Sequence, residues 1–388
     1  MSQESEQKRR NRLRYLAVKM GRAYDFIHRC LARLTGRLGK PMAPEIYYAI
    51  EHDNSVAVKG RVLLSRKWRE PTVRDHPVVN MLQMCKRWAT PERPHSLLRI
   101  TAGGEPAELR SDREGYFEVE LPLDQVRSRE ILIEMPESEV SEPARHEIRR
   151  PGKLSRRLVV SDIDDTVLVT HAATTLRMIA TTLFGNALTR QLFPGTVELY
   201  RALRRGVSEE GSEKNPIAYV TSSPFNLHGL VQLIFKENDL PEGAYFMTNW
   251  GLDYEHWFKK SHRDHKLASI RHALDWYPDK TAVLIGDSGQ HDTPIYIEIA
   301  LEHPGRIDQI LIRDVSGPER IEHLQSTVET LRDSGTRLAF FSDSAEAAEI
   351  LLARGWITEP QLRSVRDALA EGEKSRFHRI VDAKPDNG

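Results

Sequence analysis

Leu158-Val159-Val160-Ser161-Asp162-Ile163-Asp164-Asp165-Thr166 is the stretch on which the reading of this chain turns, because an apolar run ends there in three carboxylates. An uninterrupted run of strand-forming residues fits a strand buried on both faces, as in a parallel sheet covered by helices. In such sheets ligands collect beyond the carboxyl ends of the strands, which is where these acids fall. Three like charges at one strand tip repel unless a cation sits among them, and a hard divalent ion such as magnesium takes oxygen ligands of this kind. The spacing also divides labour: Asp162 can face the pocket, and Asp164, two residues on, can reach a leaving oxygen as acid or base. The plainer alternative is a loop in which Asp and Thr cap the next helix.

Working outward, apolar strand candidates recur at 157–161, 217–221, 244–248, 282–285, 309–312 and 338–341. Helical stretches at 224–237, 264–276, 294–301 and 345–353 separate them. The alternation predicts an α/β fold over 153–388, a three-layer arrangement with a mainly parallel sheet and helices on both faces. A second acidic cluster ends the fourth of these strands, Val283-Leu284-Ile285-Gly286-Asp287-Ser288-Gly289-Gln290-His291-Asp292. Asp287 at the tip and Asp292 at the next helix could complete a metal shell opposite Asp162. Asp292, followed by Thr293-Pro294, also reads as a helix cap.

The second strand ends in Val220-Thr221-Ser222-Ser223-Pro224, where hydroxyls and backbone amides before a helix can cradle phosphoryl oxygens. Thr221 is the first choice for that hydroxyl and Ser222 the next, with Ser223 read as the cap of a helix starting at Pro224. A fixed positive charge for the phosphoryl group can come from Lys266, with Lys259 and Lys260 as rivals in the same basic run.

The amino-terminal part has a different texture. Residues 1–40 carry eleven Lys and Arg against Glu4, Glu6 and Asp25, interleaved with Leu13, Leu16, Met20, Tyr24, Ile27, Leu31 and Leu34 at helical steps. Such a basic amphipathic helix suits either an anionic membrane surface or packing on its own protein with its charges in water. Residues 41–150 hold short β-prone runs at 55–64, 97–101, 116–121 and 131–134, with a hairpin turn at Asp112-Arg113-Glu114-Gly115. They predict a small all-β sandwich-like domain of binding or support, with 137–152 as the linker.

Lys plus Arg and Asp plus Glu are equal at 56 each, which argues against coating nucleic acid as the role of the whole chain. Cys30 and Cys85 stand far apart without metal-spaced neighbours, so a reducing cytoplasm and no disulfide framework are expected. No apolar run approaches a transmembrane length, so the expectation is a cytoplasmic protein, peripheral on the inner membrane surface if residues 1–40 bind it.

The ordered set Asp162-Ile163-Asp164-Asp165-Thr166, Thr221, Lys266 and Gly286-Asp287 through Asp292 resembles the motif series of haloacid dehalogenase-type phosphatases. More narrowly, Ser161 to Thr166, Tyr219 to Pro224 and Ile285 to Asp292 resemble the catalytic domain of the actin-patch-associated phosphatidate phosphatase family, relatives of the lipins, over about 155–315. The region from Gly60-Arg61-Val62 to Gly115-Tyr116-Phe117 is similar to the segment that precedes this domain in bacterial members. The resemblance implies a haloacid dehalogenase-like fold and attack by Asp162 on a phosphate monoester. It implies an aspartyl-phosphate intermediate, then hydrolysis by water that Asp164 activates. It further implies Mg2+ held by Asp162, the Asp164 backbone carbonyl, Asp287 and Asp292, with Thr166 and Ser222 at the substrate. The implied substrate is a phospholipid, phosphatidate, released as diacylglycerol and phosphate. Residues 171–194 fall where that superfamily inserts a substrate-selecting cap; their apolar content suits acyl chains or a helix packed on the sheet. Two other readings remain open: a phosphatase of a soluble ester or phosphoprotein, and a binding module built on a vestigial phosphatase fold.

Overall fold

The computed structural model describes residues 42–64, 93–138, 141, 143–164, 166–167, 192–208, 213–248, 262–289, 292–315, 331 and 335–382. The basic segment 1–40, Asp165, residues 168–191, Lys259 and Lys260 lie outside the described residues.

Seven strands come first: β1 (Met42–His52), β2 (Ser55–Leu64), β3 (Leu97–Thr101), β4 (Ala107–Arg110), β5 (Tyr116–Pro122), β6 (Glu130–Glu134) and β7 (Ala144–Glu147). They form two antiparallel sheets, ordered β1-β2-β5 and β4-β3-β6-β7. Ile46, Ala49, Val56 and Val58 of the first sheet and Leu98, Ile100, Ile131 and Ile133 of the second share one buried apolar cluster. At the turn before β5, Asp112 Oδ1 accepts from the Glu114 and Tyr116 amides at 2.8 Å each. Gly115 there takes a φ of +83°, a conformation that costs glycine little and other residues more.

Two corrections fall in this region. The stretch 137–152 is not simply a linker, because β7 pairs with β6 and Ile50 bridges Arg149. Ala144-Arg145-His146-Glu147 is too polar to announce a strand, as befits a short strand at a sheet edge. β1 also went unread, since Pro44 and Glu45 interrupt its apolar pattern.

The second part contains β8 (Arg157–Asp162), α1 (Thr196–Arg205), β9 (Ile217–Pro224), α2 (His228–Glu237), β10 (Ala244–Thr248) and α3 (His262–Trp276). It continues with β11 (Thr281–Asp287), α4 (Asp292–Glu302), β12 (Ile307–Arg313), β13 (Arg337–Phe341), α5 (Ser344–Ala353) and α6 (Glu359–Asp382). Six strands make one parallel sheet in the order β10-β9-β8-β11-β12-β13, flanked by helices. The chain winds outward from β8 in one direction, then returns to its other side at β11. That reversal leaves a crevice between the carboxyl ends of β8 and β11, the usual ligand position in such sheets. Val159, Val160, Leu284, Ile285, Ile310 and Leu311 are fully buried, which accounts for the unbroken apolar runs.

Candidate active site

Asp162 is the last residue of β8 and Asp287 the last of β11, so the strand reversal brings the two acids to one place. Asp292, the first residue of α4, joins them: carboxylate oxygens of Asp162, Asp287 and Asp292 all lie within 4.8 Å of one another, and all three residues are buried. Gly286 makes this approach possible, since a Cβ there would stand 2.7 Å from Asp292 Oδ2 and 2.7 Å from the Tyr296 ring. Asp292 Oδ2 in turn accepts from the Asp287 amide at 3.3 Å, so it both opens the helix and closes the cluster.

Lys266, in α3, is the cation that meets these acids. Its Nζ lies 2.8 Å from Asp162 Oδ1 and also pairs with Asp292 Oδ1, with the side chain 4% exposed. Burial pulls its ammonium down, but the two carboxylates outweigh that and hold it above the usual lysine range. For Asp162 the balance falls the other way: burial, reinforced by Asp292, Asp287 and Asp164, pushes its carboxyl well up despite Lys266. One lysine is therefore too little positive charge for this cluster. Asp162 Oδ2 is buried and has no hydrogen-bond partner among the described residues, and the donor set is all oxygen. A hard divalent cation fits both observations.

Asp164 belongs to a separate arrangement beside the cluster. Its Oδ2 accepts from Thr221 Oγ1 at 2.8 Å and from Ser223 Oγ at 3.2 Å, while the Ser223 amide donates to Thr221 Oγ1 at 2.9 Å. Ser223 is thus no helix cap. β9 runs on through Pro224, a short 3-10 turn spans Phe225–Leu227, and the α-helix starts only at His228. The two-residue period of a strand is the signal that could have placed Thr221 and Ser223 on one side together. Ser222 lies between them, its carbonyl accepting from Thr248 Oγ1 at 2.9 Å. Thr166 is buried, and its hydroxyl has no hydrogen-bond partner among the described residues. Tyr200 of α1 was not foreseen: its hydroxyl lies 2.5 Å from Ser161 Oγ, which donates to the Asp162 carbonyl at 2.7 Å and so ties down the strand tip.

Among the described residues, no helix is long and apolar enough to cross a membrane. Residues 157–314 match the family described as phosphatidate phosphatase APP1, catalytic domain. The phosphatidate phosphatase APP1 of Saccharomyces cerevisiae is 27% identical over 155 residues, 40% of this chain and 25% of that protein. An uncharacterized protein of Schizosaccharomyces pombe is 28% identical over 200 residues, 51% of this chain and 30% of that protein. The chain thus spans about a quarter to a third of the length of these curated relatives. A carbohydrate acetylesterase structure from Xanthomonas citri aligns at a TM-score of 0.29 and 10% identity, over 77% of this chain and 68% of that one, too loose a likeness to carry an argument. The Asp162 to Asp292 cluster lies inside the span 157–314 that is similar to the phosphatidate phosphatase APP1 catalytic domain.

Proposed function

We propose that this chain is a phosphoric monoester hydrolase of haloacid dehalogenase-like fold, acting on phosphatidate. The observation that carries the proposal is the meeting of Asp162, Asp287 and Asp292 within 4.8 Å, with Lys266 on two of them, at the crevice between β8 and β11. The family match to a phosphatidate phosphatase supports the substrate.

Asp162, Asp287 and Asp292, with the Asp164 backbone carbonyl, would hold Mg2+, which when bound supplies charge neutralisation among the acids and at the phosphoryl oxygens. Asp162 Oδ attacks phosphorus, the P–O bond to the glycerol oxygen breaks, and Asp164 gives its proton to that oxygen. The first step leaves an aspartyl phosphate on Asp162. Asp164, now a base, takes a proton from water as the water oxygen attacks phosphorus, and the bond to Asp162 breaks to release phosphate. Lys266 stays in place through both steps as a fixed positive charge, and Thr221 holds Asp164 on its path. Thr166 and Ser222 line the substrate side, and residues 1–40, with their excess of Lys and Arg, would bring the enzyme onto an anionic bilayer.

Phosphate release from phosphatidate in mixed micelles, with and without Mg2+, tests this reading. Metal-dependent turnover that Asp162→Asn abolishes supports it; turnover surviving that change would overturn the mechanism. Faster turnover of water-soluble esters than of phosphatidate would move the substrate to the soluble class.

A further inference from the structure

The first sheet meets the parallel sheet at β10 and at the turn that follows β9, and a β-bulge makes the meeting. Along β1 and β2 the register passes from Ile46 opposite Gly60 to Tyr48 opposite Lys59, leaving Tyr47 as the extra residue. A bulge re-aims the side chains that follow it. Ile46 and Ala49 accordingly stay in the core of the first two sheets, whereas Tyr47 and Tyr48 join the core of the parallel sheet.

Tyr47 stacks on Phe225 with ring centres 4.4 Å apart and planes 18° apart, and meets the edge of His228 at 4.6 Å. Glu45, two residues earlier on β1, reaches His228 Nδ1 at 3.3 Å. Tyr47, Phe225 and His228 are all buried. Pro224 alone separates Phe225 from Ser223, whose hydroxyl and amide complete the hydrogen bonds around Asp164. A rigid aromatic contact so close in sequence fixes where those hydroxyls stand. The residues that make it, Glu45 and Tyr47, lie outside the matched span 157–314.

We propose that Glu45 and Tyr47 are positioning residues of the phosphatase site: the bulge on β1 clamps the turn at 225–228 and thereby sets Thr221 and Ser223 on the Asp164 carboxylate. The proposal rests on Asp164 being the proton donor to the leaving group. A displaced donor matters most when the leaving oxygen is strongly basic, and little when it is a good leaving group.

The test compares turnover of phosphatidate, an alkyl ester, with that of p-nitrophenyl phosphate, an aryl ester, in the full chain with Mg2+. Asp164→Asn calibrates it through kcat/KM, which reports the steps up to release of the alcohol and not the later hydrolysis of the aspartyl phosphate: a fall of about 100-fold or more on the alkyl ester with a much smaller one on the aryl ester supports the donor role. Tyr47→Ala should then lower kcat/KM on the alkyl ester about 10-fold more than on the aryl ester. Glu45→Ala, at a half-exposed position, should shift the ratio in the same direction and serves where Tyr47→Ala does not fold. Glu45→Gln, which keeps an acceptor for His228, should restore it. If Asp164→Asn is selective and the Tyr47 and Glu45 variants lower both esters equally or neither, the clamp is overturned alone. If Asp164→Asn is itself unselective, the donor role fails and the clamp with it.

Discussion

Lys266 Nζ stands 2.8 Å from Asp162 Oδ1 and also pairs with Asp292, so one buried ammonium links the tip of β8 to the start of α4. Replacing it with methionine leaves two buried carboxylates without their cation. The expected outcome is a loss of about 3–5 kcal/mol in stability, seen by denaturant unfolding, and a fall of about 100-fold or more in kcat. Lys266→Arg should rescue neither fully, because a planar guanidinium cannot occupy the position of a compact ammonium.

Thr221 holds Asp164 and accepts the Ser223 amide, so Thr221→Val removes both bonds at nearly constant volume. About 1–3 kcal/mol of destabilisation is expected, since a buried amide and a buried carboxylate each lose a partner. Thermal unfolding of Thr221→Val beside Thr221→Ser, which keeps the hydroxyl, checks this; equal melting temperatures would contradict it.

Gly286→Ala places a methyl group 2.7 Å from Asp292 Oδ2 and from the Tyr296 ring. Overpacking of this kind typically costs about 1–3 kcal/mol. Because the displaced group includes a proposed metal ligand, the Mg2+ concentration for half-maximal turnover should rise as well, which a metal titration of activity would show.

Burial, with Arg149 adding to it, pulls the His146 imidazole down to about 4. The unfolded chain, with an ordinary histidine near 6.5, then binds a proton that the folded chain refuses. Stability on this account is full above pH 6.5 and falls as pH drops towards 4, by at most about 3 kcal/mol. Urea midpoints measured between pH 4 and 7 should show a shallower decline in His146→Gln than in the unchanged protein.

The parallel sheet was legible in the sequence because burial on both faces writes itself as unbroken apolar runs, and 157–161, 244–248 and 338–341 fall within observed strands. The acids were legible for a related reason: a charge directly after such a run has to stand at a strand tip. Edge and bulged strands leave no such mark, so β7 and the interrupted β1 passed unread. Within the site, Asp162, Asp287 and Asp292 were named from strand tips and a helix start, and Lys266 from a basic run in which Lys259 and Lys260 were rivals; the structure gathers the four named residues. Ser223 was misplaced because a hydroxyl before proline looks the same whether it caps a helix or ends a strand. Tyr200 depends on a contact across 39 positions, which no local pattern encodes.

The aromatic seam around Tyr47 and Tyr48 also bears on how the chain could be shortened. Tyr48 packs on Trp276 at 5.4 Å and Phe246 at 6.2 Å, as Tyr47 does on Phe225. A fragment trimmed to the matched span 157–314 would turn Phe225, Phe246 and Trp276 outward into water, giving it a sticky flank that favours self-association over monomeric catalysis.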